Sequence, residues 1–266
     1  MNIKLPIFFK PTRYSDLLRV GNKHDGGYVI SKKSVMDSDC LLSFGLNNDC
    51  SFEEDFKKYN NCGVFSCDNS VHTKFWVKKI ANDFFNLFFF DFKNFIKNNH
   101  LILYYRYLRF FLQKDNIHIK KNISRKGFYG PKIYEANSID FLDLFEHINK
   151  KKVFLKIDIE GYEYRFLDQI IDVQDKLSGL AIEFHACDLH LKKIKSFIEN
   201  FKLKLIHLHH NSRSAVSNNG LPVTMELSFA PEKYTEIRSN DTSYPTKYDQ
   251  PNSPNLKDIE IQFNEN

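Results

Sequence analysis

The sequence predicts an α/β fold with a mostly parallel sheet that ends in an antiparallel hairpin. Three observations predict it. Short apolar runs alternate with helix-spaced segments from residue 40 to residue 201, the pattern of a parallel sheet with helices on both faces. The last two strand-like runs, 203–208 and 223–229, are joined by residues 211–220, a small polar stretch with no helix, so they should pair as a hairpin. The run VFLKIDIEGYE at 153–163 reads as a buried strand that carries Asp158 and Glu160 on one face, followed by a Gly161 turn. Carboxylates at the C-terminal end of such a strand stand where open α/β sheets bind ligands.

A chain of 266 residues fits one large α/β domain, here residues 1–266, with an N-terminal segment at 1–39 and an insert at about 71–112. A net charge of +5 mildly favours an anionic ligand and gives no argument for nucleic acid. The five cysteines have irregular spacing and no CxxC, which suggests neither a zinc site nor a disulfide framework. The N-terminus lacks a signal-peptide pattern and no apolar run is long enough to span a membrane, so the expected compartment is the cytoplasm.

In chain order, Asp25-Gly26-Gly27 marks a tight turn before an apolar strand-like run, for which a plain hairpin is the simplest reading. Residues 40–44 (CLLSF) form a buried strand leading into Gly45-Leu46-Asn47-Asn48-Asp49. Helix 51–59 follows, with Ser51 as its cap and Glu54 completing a capping box. A glycine turn of this kind allows close approach of a ligand, and the helix start offers free N–H groups. The strand 64–68 ends in Asp68, 23 positions after Gly45, where nucleotide-binding βαβ units hold a ribose hydroxyl pair. A GxGxxG fingerprint is missing.

The insert at 71–112 holds 14 of the 40 aromatic residues and reads as two helices, 75–97 and 101–112. It should pack over the core or make an interface. Capping the substrate, joining two copies and lying against a membrane all fit an aromatic helical pair, the cap or the joint between copies being favoured because the apolar run is too short to span. The basic stretch 106–126 reads as a solvated face, a cover over an anionic substrate or a membrane contact. Beyond it, 117–123 reads as a strand and 124–137 as a loop. Next come a helix at 138–148 capped by Ser138, the strand 153–159, helix 162–171, strand 180–184 and helix 189–201. A last alternating piece lies at 259–263.

Several blocks, in order along the chain, resemble the FkbM-like methyltransferases. They are DGGYV at 25–29, SFGLNNDCSFE at 43–53, the acid of VFSCD at 64–68, NSIDFL at 137–142 and LKIDIEGYE at 155–163. IEFH at 182–185, HLHHN at 207–211 and PVTMELSF at 222–229 also fit. They cover most of the chain apart from the insert. The resemblance implies a class I methyltransferase (Rossmann-like) fold with S-adenosyl-L-methionine as methyl donor. It also implies O-methylation of a sugar hydroxyl, on a nucleotide sugar or a bacterial surface polysaccharide such as capsule. Two other readings are a nicotinamide-dependent sugar oxidoreductase, opposed by the absence of GxGxxG and YxxxK, and a non-catalytic methyltransferase-like binding protein.

By position, the resemblance assigns Ser43, Gly45, Asn47 and Asp49 to the methionine end of the donor, with Glu53 orienting the loop. Asp68 takes the ribose hydroxyls, and Asn69 and Ser124 take the adenine. Asp158 faces the transfer centre. Glu183 and His185, at the end of the next strand, complete the catalytic set, with His185 as proton acceptor because imidazole titrates near neutrality. Asp25, Tyr28, Glu160, His207, His209 and Asn211 are assigned to the substrate. No resident metal is expected. The partner is a small-molecule or glycan substrate, and the insert is a place for homo-oligomer contact.

Overall fold

A computed structural model describes residues 2–88, 99–127, 137–237 and 243–264 of the chain. The N-terminal part supplies β1 (Asn2–Leu5), β2 (Arg13–Tyr14), β3 (Leu17–Gly21), β4 (Gly27–Ser31) and α1 (Lys32–Met36). Then come β5 (Cys40–Phe44), α2 (Ser51–Tyr59), β6 (Gly63–Cys67), α3 (Thr73–Phe88), α4 (His100–Phe111), β7 (Asn116–Ile119) and β8 (Asn122–Ser124). The middle holds β9 (Ser138–Asp140), α5 (Phe141–Ile148), β10 (Val153–Ile157), α6 (Leu167–Asp172), β11 (Leu177–Phe184) and α7 (Cys187–Asn200). The chain closes with β12 (Lys204–His210), β13 (Met225–Ala230), β14 (Glu236–Ile237) and β15 (Glu260–Phe263).

Seven strands form the central sheet in the order β12-β13-β11-β10-β5-β6-β7. The five from β11 to β7 are parallel, and β13 runs antiparallel to both its neighbours. The expected hairpin is therefore present, with its second strand inserted between β11 and β12. Both faces of the sheet are covered, so the inner strands read as apolar runs. Alternate residues of one strand serve opposite cores: Leu42, Phe44, Leu155 and Ile157 face one side, and Leu41 and Phe154 the other.

Several boundaries differ from the sequence expectation, each for a local reason. Strand β10 ends at Ile157, because Glu160 and Gly161 turn the chain with φ of +55° and +95°. The expected helix 162–171 splits into a 3-10 turn at Glu163–Arg165 and α6, since the Glu163 side chain turns inward. Residues 117–123 divide into β7 and β8 at a turn where Lys121 N–H donates to Ile119 O. Ser138 belongs to β9, and Asp140 caps α5 by accepting from the Leu142 and Asp143 N–H groups. Ser51 is likewise inside its helix; Asp49 takes the Ser51 N–H at 2.9 Å and the Ser51 hydroxyl at 2.8 Å. The second half of the first insert helix and part of the 124–137 loop lie outside the described residues. Among the described residues no helix is long and apolar enough to cross a membrane.

Candidate active site

Gly45 ends β5 with φ +83°, and a Cβ there would lie 1.6 Å from the Asp158 carbonyl oxygen. Only glycine permits that approach of the two strand ends. The loop beyond it is held by Asp68, whose Oδ2 accepts from Leu46 N–H at 2.9 Å and Asn47 N–H at 2.8 Å. Asp68 Oδ1 accepts from Ser70 N–H and Ser70 Oγ at 2.7 and 2.6 Å. A cavity of about 420 Å³ opens beside this loop, lined by Asn47, Asp68, Ser70, Asn122, Ile123 and Tyr162, among others. Its size suits a cofactor.

A second cavity of about 570 Å³ lies on the other side of the same strand ends. Gly45, Asn47, Asp158 and Glu160 line both. Its wall is strongly polar: Asn22, Asp25, Asp49, Arg106, Asn211 and Arg213 all face it. The neighbouring strand ends β10 and β11 deliver Asp158, Glu183 and His185 to its floor. Tyr28, fully buried, donates to Asp158 Oδ2 at 2.9 Å or to Glu183 Oε2 at 3.0 Å. Burial and these carboxylates keep its phenol protonated, well above the usual tyrosine range. Asn211 donates to Glu183 Oε1 at 2.8 Å.

Lys156, two residues before Asp158 and on the same strand face, is buried beneath this floor. Its ammonium donates to Gly45 O at 2.7 Å and lies 3.6 Å from Asp158 Oδ2. Below it Glu53 is buried and accepts from Ser43 Oγ at 2.5 Å. Burial raises the Glu53 pKa, and the Lys156 charge and the Ser43 hydrogen bond work against that rise.

His185 stands among carboxylates. Its Nε2 is 3.4 Å from Glu160, and 3.9 Å from both Asp158 and Glu183. Its Nδ1 is 3.4 Å from Glu163 Oε1, close enough to pair charges but not aligned as a hydrogen bond. Glu163 is fully buried and fixed by the N–H groups of Gly161 and His185, at 2.9 and 2.8 Å. Burial alone would lower the His185 pKa. Glu163, Glu183 and Asp158 outweigh it and hold the ring protonated above the usual histidine range. Glu183 is raised in turn, by burial and by the Asp158 and Glu226 charges. Ligand-type atoms of Asp158, Glu183 and His185 lie within 4.8 Å of one another.

Not every expected residue lands where the sequence placed it. Gly45, Asn47, Asp68 and Asp158 line the cofactor-sized cavity. Ser43 is covered by Glu53, while Asp49 and Glu53 line the other cavity. Asn69 and Ser124 line neither; their neighbours Ser70, Asn122 and Ile123 do. Asp25, Glu160 and Asn211 face the larger cavity, and Tyr28 lies beneath it. His207 and His209 require a correction, because both are buried away from it. His207 Nε2 pairs with Asp249 at 3.1 Å. His209 pairs with Glu226 at 3.2 Å and Asp258 at 3.0 Å. They hold down the segment 243–264, of which local sequence pattern announces only the alternating piece 259–263, strand β15. Lys156 and Glu163 were missed, although Lys156 shares the two-residue period that singled out Asp158 and Glu160.

No curated protein sequence matches the chain. Among solved structures it is similar to an rRNA methylase from Streptococcus thermophilus, with TM-score 0.38 and 10% identity over 76% of this chain and 92% of that one. It is similar to TrmK of M. capricolum in complex with S-adenosyl-homocysteine, with TM-score 0.39 and 11% identity over 79% and 69%. A precorrin-6y C5,15-methyltransferase from Geobacter metallireducens gives TM-score 0.38 and 10% identity over 76% and 85%. Likenesses of that degree say nothing of substrate. The sequence model of the methyltransferase FkbM domain matches residues 28–239, which takes in the whole central sheet. The chain therefore belongs to the FkbM methyltransferase family and is an S-adenosyl-L-methionine-dependent methyltransferase of class I fold.

Proposed function

We propose that the protein methylates a sugar hydroxyl, on a nucleotide sugar or a surface polysaccharide, as a single methyltransferase domain acting in the cytoplasm. The observation that carries this reading is the larger cavity, walled by hydrogen-bonding side chains and joined to the cofactor-sized cavity at Gly45 and Asp158. A polyhydroxylated ring finds donors and acceptors there on all sides.

The cofactor-sized cavity fits S-adenosyl-L-methionine. Gly45 lets the ends of β5 and β10 close on each other beside the cavity, and Asp68 at the end of β6 lines it; a hydroxyl pair would take the Asp68 oxygens by displacing the Ser70 contacts. When bound, the cofactor supplies a methyl group already activated on a sulfonium. The chain's task is then alignment and proton removal. Asp158 stands where the two cavities meet. Because its neighbours keep His185 charged, we assign the hydroxyl proton to Asp158, with His185 stabilising the carboxylate and Glu183 held by Tyr28 and Asn211. This gives His185 a supporting role in place of the proton acceptor that sequence alone suggests.

Incubation with donor and a panel of nucleotide sugars, read by mass spectrometry, tests the function. One added methyl on a sugar supports it; methylation of amines alone overturns it. Asp158→Asn should lower turnover at least 100-fold while S-adenosylhomocysteine still binds. Chelator should leave the rate unchanged. A rate lost to chelator and restored by Mn²⁺ would replace the metal-free reading with an ion on Asp158, Glu183 and His185.

A further inference from the structure

The outer face of the α3–α4 pair takes no part in the chemistry above. Helix α4 has distinct sides. Tyr107 and Phe110 are buried, and Tyr104 and Phe111 pack with them against Trp76 and His118. Leu103 and Arg106 line the larger cavity. What remains is a stripe of Leu101, Tyr105, Leu108 and Leu112 at i, i+4, i+7 and i+11. These side chains are 55%, 64%, 38% and 81% exposed. Ile102 is exposed beside them, and Val77 is exposed on α3. Single exposed leucines need no explanation, but an apolar stripe along a whole helix does.

The two helices also carry a one-sided charge. Lys74, Lys78 and Arg109 are exposed and form no ion pair among the described residues. The one acid of α3 and α4, Asp83, is buried and bound to His100 at 2.8 Å. Apolar and aromatic side chains flanked by uncompensated cations are the composition of a helix that lies in a lipid headgroup layer.

We propose that this face docks on an anionic membrane surface, with Leu101, Tyr105, Leu108 and Leu112 entering the headgroup layer and Lys74, Lys78 and Arg109 over lipid phosphates. A second copy of the chain is a poorer occupant. In a two-fold contact each patch meets its own copy, which would set these cations against one another. Docking also brings Leu103 and Arg106, on the rim of the larger cavity, toward the headgroups. If the sugar-hydroxyl reading holds, a glycan carried on a membrane lipid would meet the cavity there.

Vesicle co-sedimentation of the full chain tests the docking. It should pellet with vesicles containing phosphatidylglycerol, and stay in solution with pure phosphatidylcholine or in high salt. The variant with Lys74→Gln, Lys78→Gln and Arg109→Gln should bind roughly 100-fold more weakly. The variant with Leu101→Ser, Tyr105→Ser and Leu112→Ser should no longer pellet. Both should keep wild-type S-adenosylhomocysteine affinity, which shows an intact fold. Failure to pellet, equal pelleting with both vesicle types, or a dimer in light scattering that those serine substitutions dissolve would each overturn the proposal. The assay contains no methyl acceptor, so its failure leaves the methyltransferase reading standing.

Discussion

Lys156 offsets the negative charge of a floor on which Glu53, Asp158 and Glu183 stand together. Its contacts with Gly45 O and Asp158 leave no room for a neutral substitute to do the same work. Lys156→Met should lower stability by about 3 kcal/mol, because Glu53 would remain buried without its counter-charge; a thermal melt reads it. His185 carries a prediction with a definite sign. Its pKa is raised, so the imidazolium persists through neutral pH. Turnover should fall as pH rises through that raised pKa, and His185→Asn should be slow with no such limb. A limb that rises instead would return the proton-acceptor role to His185. At this scale the sequence was a partial guide. Asp158, Glu183 and His185 were legible because strand ends put them side by side. Lys156 was not, since a charge interleaved in an apolar strand looks like a solvated one until the covering helices are in place. Glu163 was hidden in a helix-like spacing that its own inward turn breaks.

At the level of elements, the seam between β5 and β10 is the most constrained part of the site. Gly45→Ala would force its Cβ to 1.6 Å from the Asp158 carbonyl, in a backbone region that L residues avoid. The strand ends must separate. Donor affinity should drop at least tenfold in calorimetry, with a lower melting temperature. The start of α2 makes a milder prediction. Asp49, one residue before the helix's cap position at Cys50, accepts from the Ser51 N–H and hydroxyl, so Asp49→Ala should cost about 1 kcal/mol. Most strands and helices were readable because buried parallel strands and amphipathic helices have different periods. Their ends were less so, since acceptors such as Asp49 and the cap Asp140 compete with equally good serines two residues away.

For the molecule as a whole, the segment 243–264 closes the fold. Strand β15 pairs in parallel with β1, and the segment's Asp249 and Asp258 meet His207 and His209 from the sheet. Burial lowers the His209 pKa, but Glu226 and Asp258 raise it further, to about 10. That is above the ~6.5 of an unfolded histidine, so the stabilisation is full below about pH 6.5 and is lost as pH rises toward 10. Asp249, which burial would raise, is lowered to about 2 by His207 and His209; its contribution holds above about pH 4 and fades toward pH 2. Proteolytic cutting within 243–264 should therefore increase from pH 7 to about pH 10. In His209→Gln it should be fast at every pH, with a stability loss of about 3 kcal/mol. The antiparallel hairpin was foreseeable from the missing last crossover helix, and β15 from the alternation at 259–263; the docking of the closing segment was not, because its partners lie far away in sequence. The two cavities, finally, share the wall formed by Gly45, Asn47, Asp158 and Glu160. One molecule that joins a donor-like nucleoside to a sugar through a short linker would find its second half already at an effective concentration in the millimolar range. Such a bridged inhibitor should exceed the affinity of either half by about 100-fold or more, and its preferred linker length would measure the gap across which the methyl group passes.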